Sequence, residues 1–131
     1  LVLSAPRRGS IKPGVPVTYR EIPVGKVTGF ELGKTADRVL IHILIEPRYA
    51  PLVRGGSRFW NSSGFGFDFG LFKGATVRTE SLETLIQGGI AFATPDAEQM
   101  GKPALPQQTF ALFDKAEDEW LLWAPKIPIG N

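Results

Sequence analysis

One hundred and thirty-one residues are enough for one domain with a single core. The hydrophobic share of 43% and the charged share of 21% are ordinary for a globular domain, and a net charge of +2 with scattered basic residues does not indicate a nucleic-acid groove. The chain has no cysteine, which excludes disulfides and thiolate metal sites, and it has no run of about 18 apolar residues that would span a bilayer.

The spacing of glycine and proline along the chain predicts mostly β structure. Fifteen glycines and eleven prolines recur at intervals of about ten residues, which is typical of short strands joined by turns. Turns are expected at residues 9–14 and 34–37, a single helical turn within 47–56, and a polar connection over 96–108. The expected strands cover residues 2–4, 17–22, 25–32, 38–46, 57–70 with glycine interruptions, 74–79, 90–94 and 109–114. About seven short strands favour a small β-barrel or sandwich.

The strand predicted over residues 38–46 is apolar on both of its faces. One face carries Val39, Ile41, Ile43 and Ile45, and the other carries Leu40, His42 and Leu44. Because a strand of this kind is normally covered on both sides, we expect a helix, a second sheet or a neighbouring subunit over its second face.

The segment of residues 80–95 combines a short helical turn with a strand. Leu82, Leu85 and Ile86 form an apolar cluster at helical spacing, and two glycines end the turn before a strand over 90–94. A helix of barely two turns does not form by itself, because nucleation costs more than so few turns return. The three side chains must therefore be buried against the core of this domain, another copy of the chain, or an apolar ligand.

No catalytic group stands out in the chain. His42 is the single histidine and shares a strand face with leucines, which indicates a structural or interface role. With neither a second histidine nor a cysteine, a Cys/His zinc site is excluded. The glycine-rich residues 64–70 lack the Lys-Ser/Thr ending of a phosphate-binding loop and are interpreted as a kinked aromatic strand. We predict that the protein is not an enzyme and has no catalytic residues, metal or cofactor.

Four motifs, in the same order, carry a family resemblance. Residues 14–27 (GVPVTYREIPVGKV) resemble the signature G-x-P-V-x-Y-R-G-I-x-V-G-x-V of the MCE (mammalian cell entry) domain, as found in the paraquat-inducible protein B and MlaD family. Residues 57–61 (SRFWN), 81–92 (SLETLIQGGIAF) and 108–113 (QTFALF) are similar to three further segments of that family. One departure is Glu21, which replaces the usual glycine. The signature positions that we single out are Val17, Tyr19, Arg20, Val24 and Gly25.

The resemblance implies an all-β, seven-stranded barrel with a short helical pore loop. It implies homohexameric rings that stack into a tube, through which phospholipids or other acyl lipids pass between the inner and outer membranes. The protein would lie in the periplasm, held at the inner membrane by an anchor outside this fragment, and would bind no nucleic acid. By motif, the pore loop is residues 80–88, and Leu82, Leu85 and Ile86 would line the pore.

The expected domain covers residues 1–116, followed by a tail or connection over 117–131. An acidic run precedes the cluster Trp120-Leu-Leu-Trp123, which is predicted to pack on the domain or to begin a connection, while residues 126–131 are expected to be frayed. Arg20 is expected to stabilise its turn or a subunit contact rather than to bind a lipid headgroup.

Two alternatives to the conduit stay open: a structural spacer, and a lipid-binding module with an internal pocket. A small barrel filled with phenylalanine argues against the pocket.

Overall fold

Seven strands close into a barrel in the computed structural model, which describes residues 1–9, 11–62 and 89–130. The predicted all-β barrel is confirmed. Around the barrel the strands follow the order β1-β4-β3-β2-β6-β5-β7. The strands are β1 Val2–Ala5, β2 Pro16–Tyr19, β3 Ile22–Leu32, β4 Val39–Ile45, β5 Arg58–Asn61, β6 Ile90–Ala93 and β7 Thr109–Phe113. The strand expected at residues 74–79, much of the one at 57–70 and the pore loop at 80–88 lie outside the described residues.

The strand directions give the barrel two distinct ends. β1 and β5 both run parallel to β7, and β2 runs parallel to β6, whereas the other four neighbouring pairs are antiparallel. We call the end where Tyr19 and Ile22 join β2 to β3 the hairpin end. The opposite end, where Asn61 ends β5 and Ile90 begins β6, is the gap end. β1 begins towards the hairpin end, and β7 finishes at the gap end.

Alternation along the strands fills the barrel with apolar side chains. Phe59 lies at the centre of this core, fully buried, with ring centroids 4.9 Å from Phe92 and 5.1 Å from Phe110. The face of β6 that carries Phe92 points into the barrel, because Ile90 and Thr94 are also completely buried. Other members of the cluster are Leu3, Ile11, Val17, Val24, Val27, Ile41, Ile43 and Val53. The burial of this set is the main source of stability for the domain.

β4 buries one face and exposes the other. Ile41 and Ile43 point into the core, whereas Leu44 on the outer face is 57% exposed. On the same face, Nε2 of His42 lies 2.8 Å from a carboxylate oxygen of Glu31. Within the described ranges the helical elements are short 3₁₀ turns and the sheet is the barrel itself, so neither a helix nor a second sheet covers this face.

The hairpin between β2 and β3 lies at the turn that the family motif indicates at Arg20, and it divides the strand that alternation predicts over residues 17–22. The pattern predicts one strand over residues 17–22 with a break at Pro23, but the chain turns at Arg20 and Glu21 instead, with φ values of 51° and 71°. Two successive left-handed residues suit the twist of a tight hairpin. Pro23 is paired within β3 beside a register shift at Val17 and Thr18, where the missing N–H is tolerated.

The turn after β4 is pinned to the barrel by a buried polar chain. The predicted helical turn is a 3₁₀ turn, Pro47–Leu52. The Thr94 hydroxyl donates a hydrogen bond to the carbonyl of Leu52 (2.7 Å) and lies 2.6 Å from the Ser57 hydroxyl. The Ser57 oxygen accepts in turn from the backbone N–H of Arg54 (2.9 Å). Each of these groups is satisfied, so the chain stabilises the turn without the penalty of an unpaired polar atom.

We expect Thr94→Val to lower the free energy of unfolding by about 1–3 kcal/mol, because it keeps the shape but leaves the Leu52 carbonyl and the Ser57 hydroxyl without their partner. Urea unfolding followed by fluorescence measures the change. Thr109→Val on the exposed side of β7 is the matched control and should change stability by less than about 0.5 kcal/mol. Equal losses of stability at the two positions would contradict a stabilising role for the hydrogen bonds of Thr94.

The C-terminal tail is ordered against the barrel. A short 3₁₀ turn, Asp118–Leu122, buries Trp120 but leaves Leu121 and Leu122 exposed, so the predicted packing of this cluster holds for Trp120. The prediction of fraying over residues 126–131 is wrong for the described part, because Ile127 packs against the core and the N–H of Gly130 donates to the carbonyl of Arg48 at 2.9 Å. These residues are ordered because their backbone pairs with an ordered turn, a contact that sequence patterns do not reveal. None of the helices among the described residues is long and apolar enough to cross a membrane.

Candidate functional site

The base of the predicted pore loop is a two-stranded neck at the gap end. Asn61 of β5 lies opposite Ile90 of β6, and the N–H of Ser62 donates to the carbonyl of Gly89 at 3.0 Å. The chain therefore leaves and re-enters the barrel at adjacent positions, separated by about one strand spacing of 4.8 Å. The predicted pore residues Leu82, Leu85 and Ile86 belong to the excursion between these points and lie outside the described residues.

The aromatic core supports the neck and begins two residue pairs below the Asn61–Ile90 pair. Phe59 and Phe92 lie opposite each other in the β5–β6 register and stack at 4.9 Å, both fully or nearly fully buried. A Cβ atom on Gly89 would lie 3.1 Å from the Ser62 hydroxyl oxygen, so the close pairing at the neck favours glycine. The arrangement can hold the two ends of an excursion in a fixed position at the gap end.

Three of the signature residues pack into or against the barrel core. Val17 and Val24 are buried in the core. The ring of Tyr19 packs on Phe92 at 5.0 Å, and partial burial raises the pKa of its phenol, with an opposing contribution from the charge of Arg20. The phenol is therefore neutral at physiological pH.

Gly25 is required where two strands come unusually close. A Cβ atom at this position would lie 2.3 Å from the backbone oxygen of Leu44 and 3.0 Å from the Cα of Ile45. A residue with a side chain would force β3 and β4 apart. The glycine of the V-G-x-V motif is thus explained by backbone contact, which its spacing in the sequence could not reveal.

Arg20 contacts the tail, a partner that sequence reasoning missed. Its Nη1 donates to the carbonyl of Trp123 at 3.4 Å, across 103 residues of chain. Among the hydrogen bonds described, none joins the Arg20 side chain to its own turn, as the predicted role would require. The turn instead directs the guanidinium group towards the tail. The adjacent Glu21 has a φ of 71° at the position where the family usually has glycine, which means that it occupies a left-handed conformation that glycine would adopt at no steric cost.

An open groove runs along the outer face of β2, β6 and β5. It has a volume of about 890 Å³, and its walls include Trp60, Trp120 and Trp123, with Ala91 and Ala93 between them. No motif predicted this feature, because it depends on the tail returning over the sheet. Among the described residues no cluster of three or more His, Cys, Asp or Glu could hold a metal ion.

The closed seven-stranded barrel defines a class: an all-β domain in which β5 and β6 are paired with each other on either side of residues 63–88. The family model described as MlaD protein matches residues 1–91. The chain therefore belongs to the MlaD family, in agreement with the resemblance to MCE domains.

Two curated relatives are similar over most of this chain. One is the Lipophilic envelope-spanning tunnel protein B of Escherichia coli (strain K12), which is 41% identical over 128 residues, covering 98% of this chain and 14% of that protein. The other is a Probable intermembrane transport protein of Haemophilus influenzae (strain ATCC 51907 / DSM 11121 / KW20 / Rd), which is 40% identical over 114 residues, covering 87% of this chain and 13% of that protein. The chain thus spans about one seventh of the length of these relatives.

Proposed function

We propose that this domain forms one ring of a homohexameric conduit that passes phospholipids or other acyl lipids between the inner and outer membranes. The observation that supports the proposal is the hydrogen-bonded neck between Ser62 and Gly89 at the gap end, since the motif-matched residues 80–88 immediately precede Gly89. The names of the two relatives, a lipophilic envelope-spanning tunnel protein and a probable intermembrane transport protein, support lipid transfer in the cell envelope. The domain would act passively, without catalysis.

The hydrophobic effect explains why such a path is needed. Each exposed methylene of a lipid costs about 0.8 kcal/mol, so moving one acyl tail through water costs roughly 10 kcal/mol or more. Apolar side chains along the route remove most of this cost. In a cyclic assembly one short aliphatic loop per subunit becomes a complete collar by rotation. Leu82, Leu85 and Ile86 are the proposed lining of this collar.

The two ends of the barrel are suited to a radial arrangement in a ring. The neck lies at the gap end, whereas the N-terminal residue Leu1 pairs with Ile43 near the hairpin end, donating at 3.4 Å and accepting at 3.0 Å. With the gap end towards the axis, the incoming chain would lie outside the pore. The exposed outer face of β4 around Leu44 then offers an apolar surface for a neighbouring subunit. Localisation in the periplasm and an anchor in the inner membrane are parts of the same proposal.

Photo-crosslinking in the full-length protein tests the lining directly. A photoreactive amino acid at position 85 or 86 is expected to capture lipid from membranes in cells, and the same group at the exposed Leu105 is the control. Capture only from buried barrel positions such as Phe92 would support the alternative of an internal pocket. Absence of capture at every position would support the structural spacer.

We expect Leu85→Asp to impair lipid transport severely while the isolated 131-residue domain keeps its thermal unfolding midpoint. A charge in a narrow apolar collar is costly, and sixfold symmetry repeats it six times around the ring. Transport is measured in cells and unfolding by circular dichroism, with Leu85→Ile as the conservative control. Unfolding of the isolated domain would instead place Leu85 in the core and move the proposed lining to Leu82 and Ile86.

A further inference from the structure

The tail begins at the gap end and is anchored on the outside of the barrel. β7 finishes with Phe113 at the gap end, opposite Trp60 of β5. Trp120 then packs against both side chains, with ring centroids 5.8 Å from Trp60 and 5.1 Å from Phe113, and is only 5% exposed. Its neighbour Leu122 is 80% exposed, so Trp120 provides the anchor in this turn.

From this anchor the tail continues to the hairpin end. The Trp123 carbonyl accepts the hydrogen bond from Arg20 in the hairpin between β2 and β3. Further on, Ile127 packs against the core, and the N–H of Gly130 bonds to the carbonyl of Arg48 in the 3₁₀ turn that follows β4. The contacts are spread along the tail, from the gap end to the hairpin end.

We propose that residues 117–130 are a strap that belongs to the barrel domain and returns the outgoing chain to the hairpin end, where the N terminus also lies. Without the strap the chain would leave from Phe113 at the gap end, close to the neck. With it, both connections of the domain lie at one end. The domain then ends at residue 130 rather than at the predicted residue 116.

The consequence of the strap rests on the proposed function. If the gap end faces the axis of a ring, the strap keeps the continuing chain out of the space that the excursion shares with its neighbours. A following segment of the same chain would start from the hairpin end, and its position would be set by the contact between Gly130 and Arg48. The strap itself is defined by its own contacts and can be tested without any lipid.

An engineered disulfide tests the docked position of the strap. A Cβ atom on Gly130 would lie 3.9 Å from the Cβ of Arg48, within the range of about 3.5–4.5 Å that a disulfide requires. Because the chain has no native cysteine, the double variant Arg48→Cys/Gly130→Cys contains a single possible pair. We expect it to oxidise nearly completely in air, and thermal unfolding to shift upwards by about 5 °C or more on oxidation.

The control is Arg48→Cys/Lys115→Cys, whose second cysteine follows β7 at the gap end. Free-thiol titration should find this pair reduced under the same conditions. If the two pairs oxidise at equal rates, the strap is not docked at the hairpin end and the proposal is wrong. Lipid capture at position 85 does not enter this measurement, so failure of the conduit and failure of the strap give different results.

Trp120→Ala in the Arg48→Cys/Gly130→Cys background tests the anchor. We expect it to slow disulfide formation at least tenfold, because the strap loses its contacts with Trp60 and Phe113. Leu122→Ala, which removes an exposed leucine from the same turn, should leave the rate unchanged. Unfolding of the barrel by Trp120→Ala alone would equally support a strap that belongs to the domain, whereas unchanged rate and stability would overturn it.

Discussion

Replacing Gly25 with alanine is expected to lower the free energy of unfolding by about 3 kcal/mol or more. The added Cβ would lie 2.3 Å from the backbone oxygen of Leu44, so relief requires β3 and β4 to move apart. A flexible side chain could rotate away, but a paired backbone cannot move without weakening its ladder of hydrogen bonds. Urea unfolding of the 131-residue chain measures the loss.

Gly29→Ala is the matched control, because Gly29 lies on the same strand and a Cβ atom there would meet nothing within 4 Å. Its substitution should leave stability unchanged or raise it by up to about 1 kcal/mol, through the lower entropy of the unfolded chain. Similar losses at both glycines would show that strand propensity, rather than the close approach at Leu44, sets the requirement for glycine at position 25.

Phe59→Ala is expected to cost about 3–5 kcal/mol, because it leaves a cavity at the centre of the aromatic core. The ring is fully buried, lies opposite Phe92 in the strand pair and also contacts Phe110. A loss of this size is a large fraction of the 5–15 kcal/mol that stabilises a typical domain. Thermal and urea unfolding should both detect it. The neck at Ser62 should loosen with it, since Phe59 lies on the same strand, two residues before Asn61.

The conservative variant Phe59→Leu separates the contribution of apolar volume to stability from the contribution of the aromatic ring. It retains most of the apolar volume and should cost less than about 1.5 kcal/mol, apart from the aromatic contacts with Phe92 and Phe110. Hydrogen exchange at the amide of Ser62, which bonds to Gly89, reports on the neck in both variants. A small loss in Phe59→Ala would mean that the barrel collapses onto the cavity and that the neck does not depend on the ring.

Glycine is favoured at two positions of the signature, 21 and 25, for different physical reasons. At Gly25 a side chain would collide with a neighbouring strand, so glycine is needed for space. At Glu21 the backbone is left-handed on an exposed turn, where a side chain meets a local conformational cost of about 1 kcal/mol but no neighbour. This difference explains why the chain accepts glutamate in place of the family's usual glycine at position 21 while position 25 keeps its glycine.

The sequence by itself determined the all-β class and most of the strands. Alternation identified which residues share a face in β4 and β6, because side chains along a strand point to opposite sides with a period of two. The ordered motifs identified the family, since their residues specify core positions and a close strand contact that recur with the fold. They also placed the predicted pore residues between β5 and β6, at Leu82, Leu85 and Ile86.

Tertiary structure decided the order of the strands around the barrel, the partner of Arg20 and the path of the tail. These features depend on contacts between distant residues, such as Arg20 with Trp123 and Arg48 with Gly130, and no local period or propensity encodes them. The outer face of β4 also shows what a sequence pattern cannot decide. Its apolar pattern predicted a cover, but only the folded barrel showed that no described element of this chain supplies one, because every described strand is used to close the barrel.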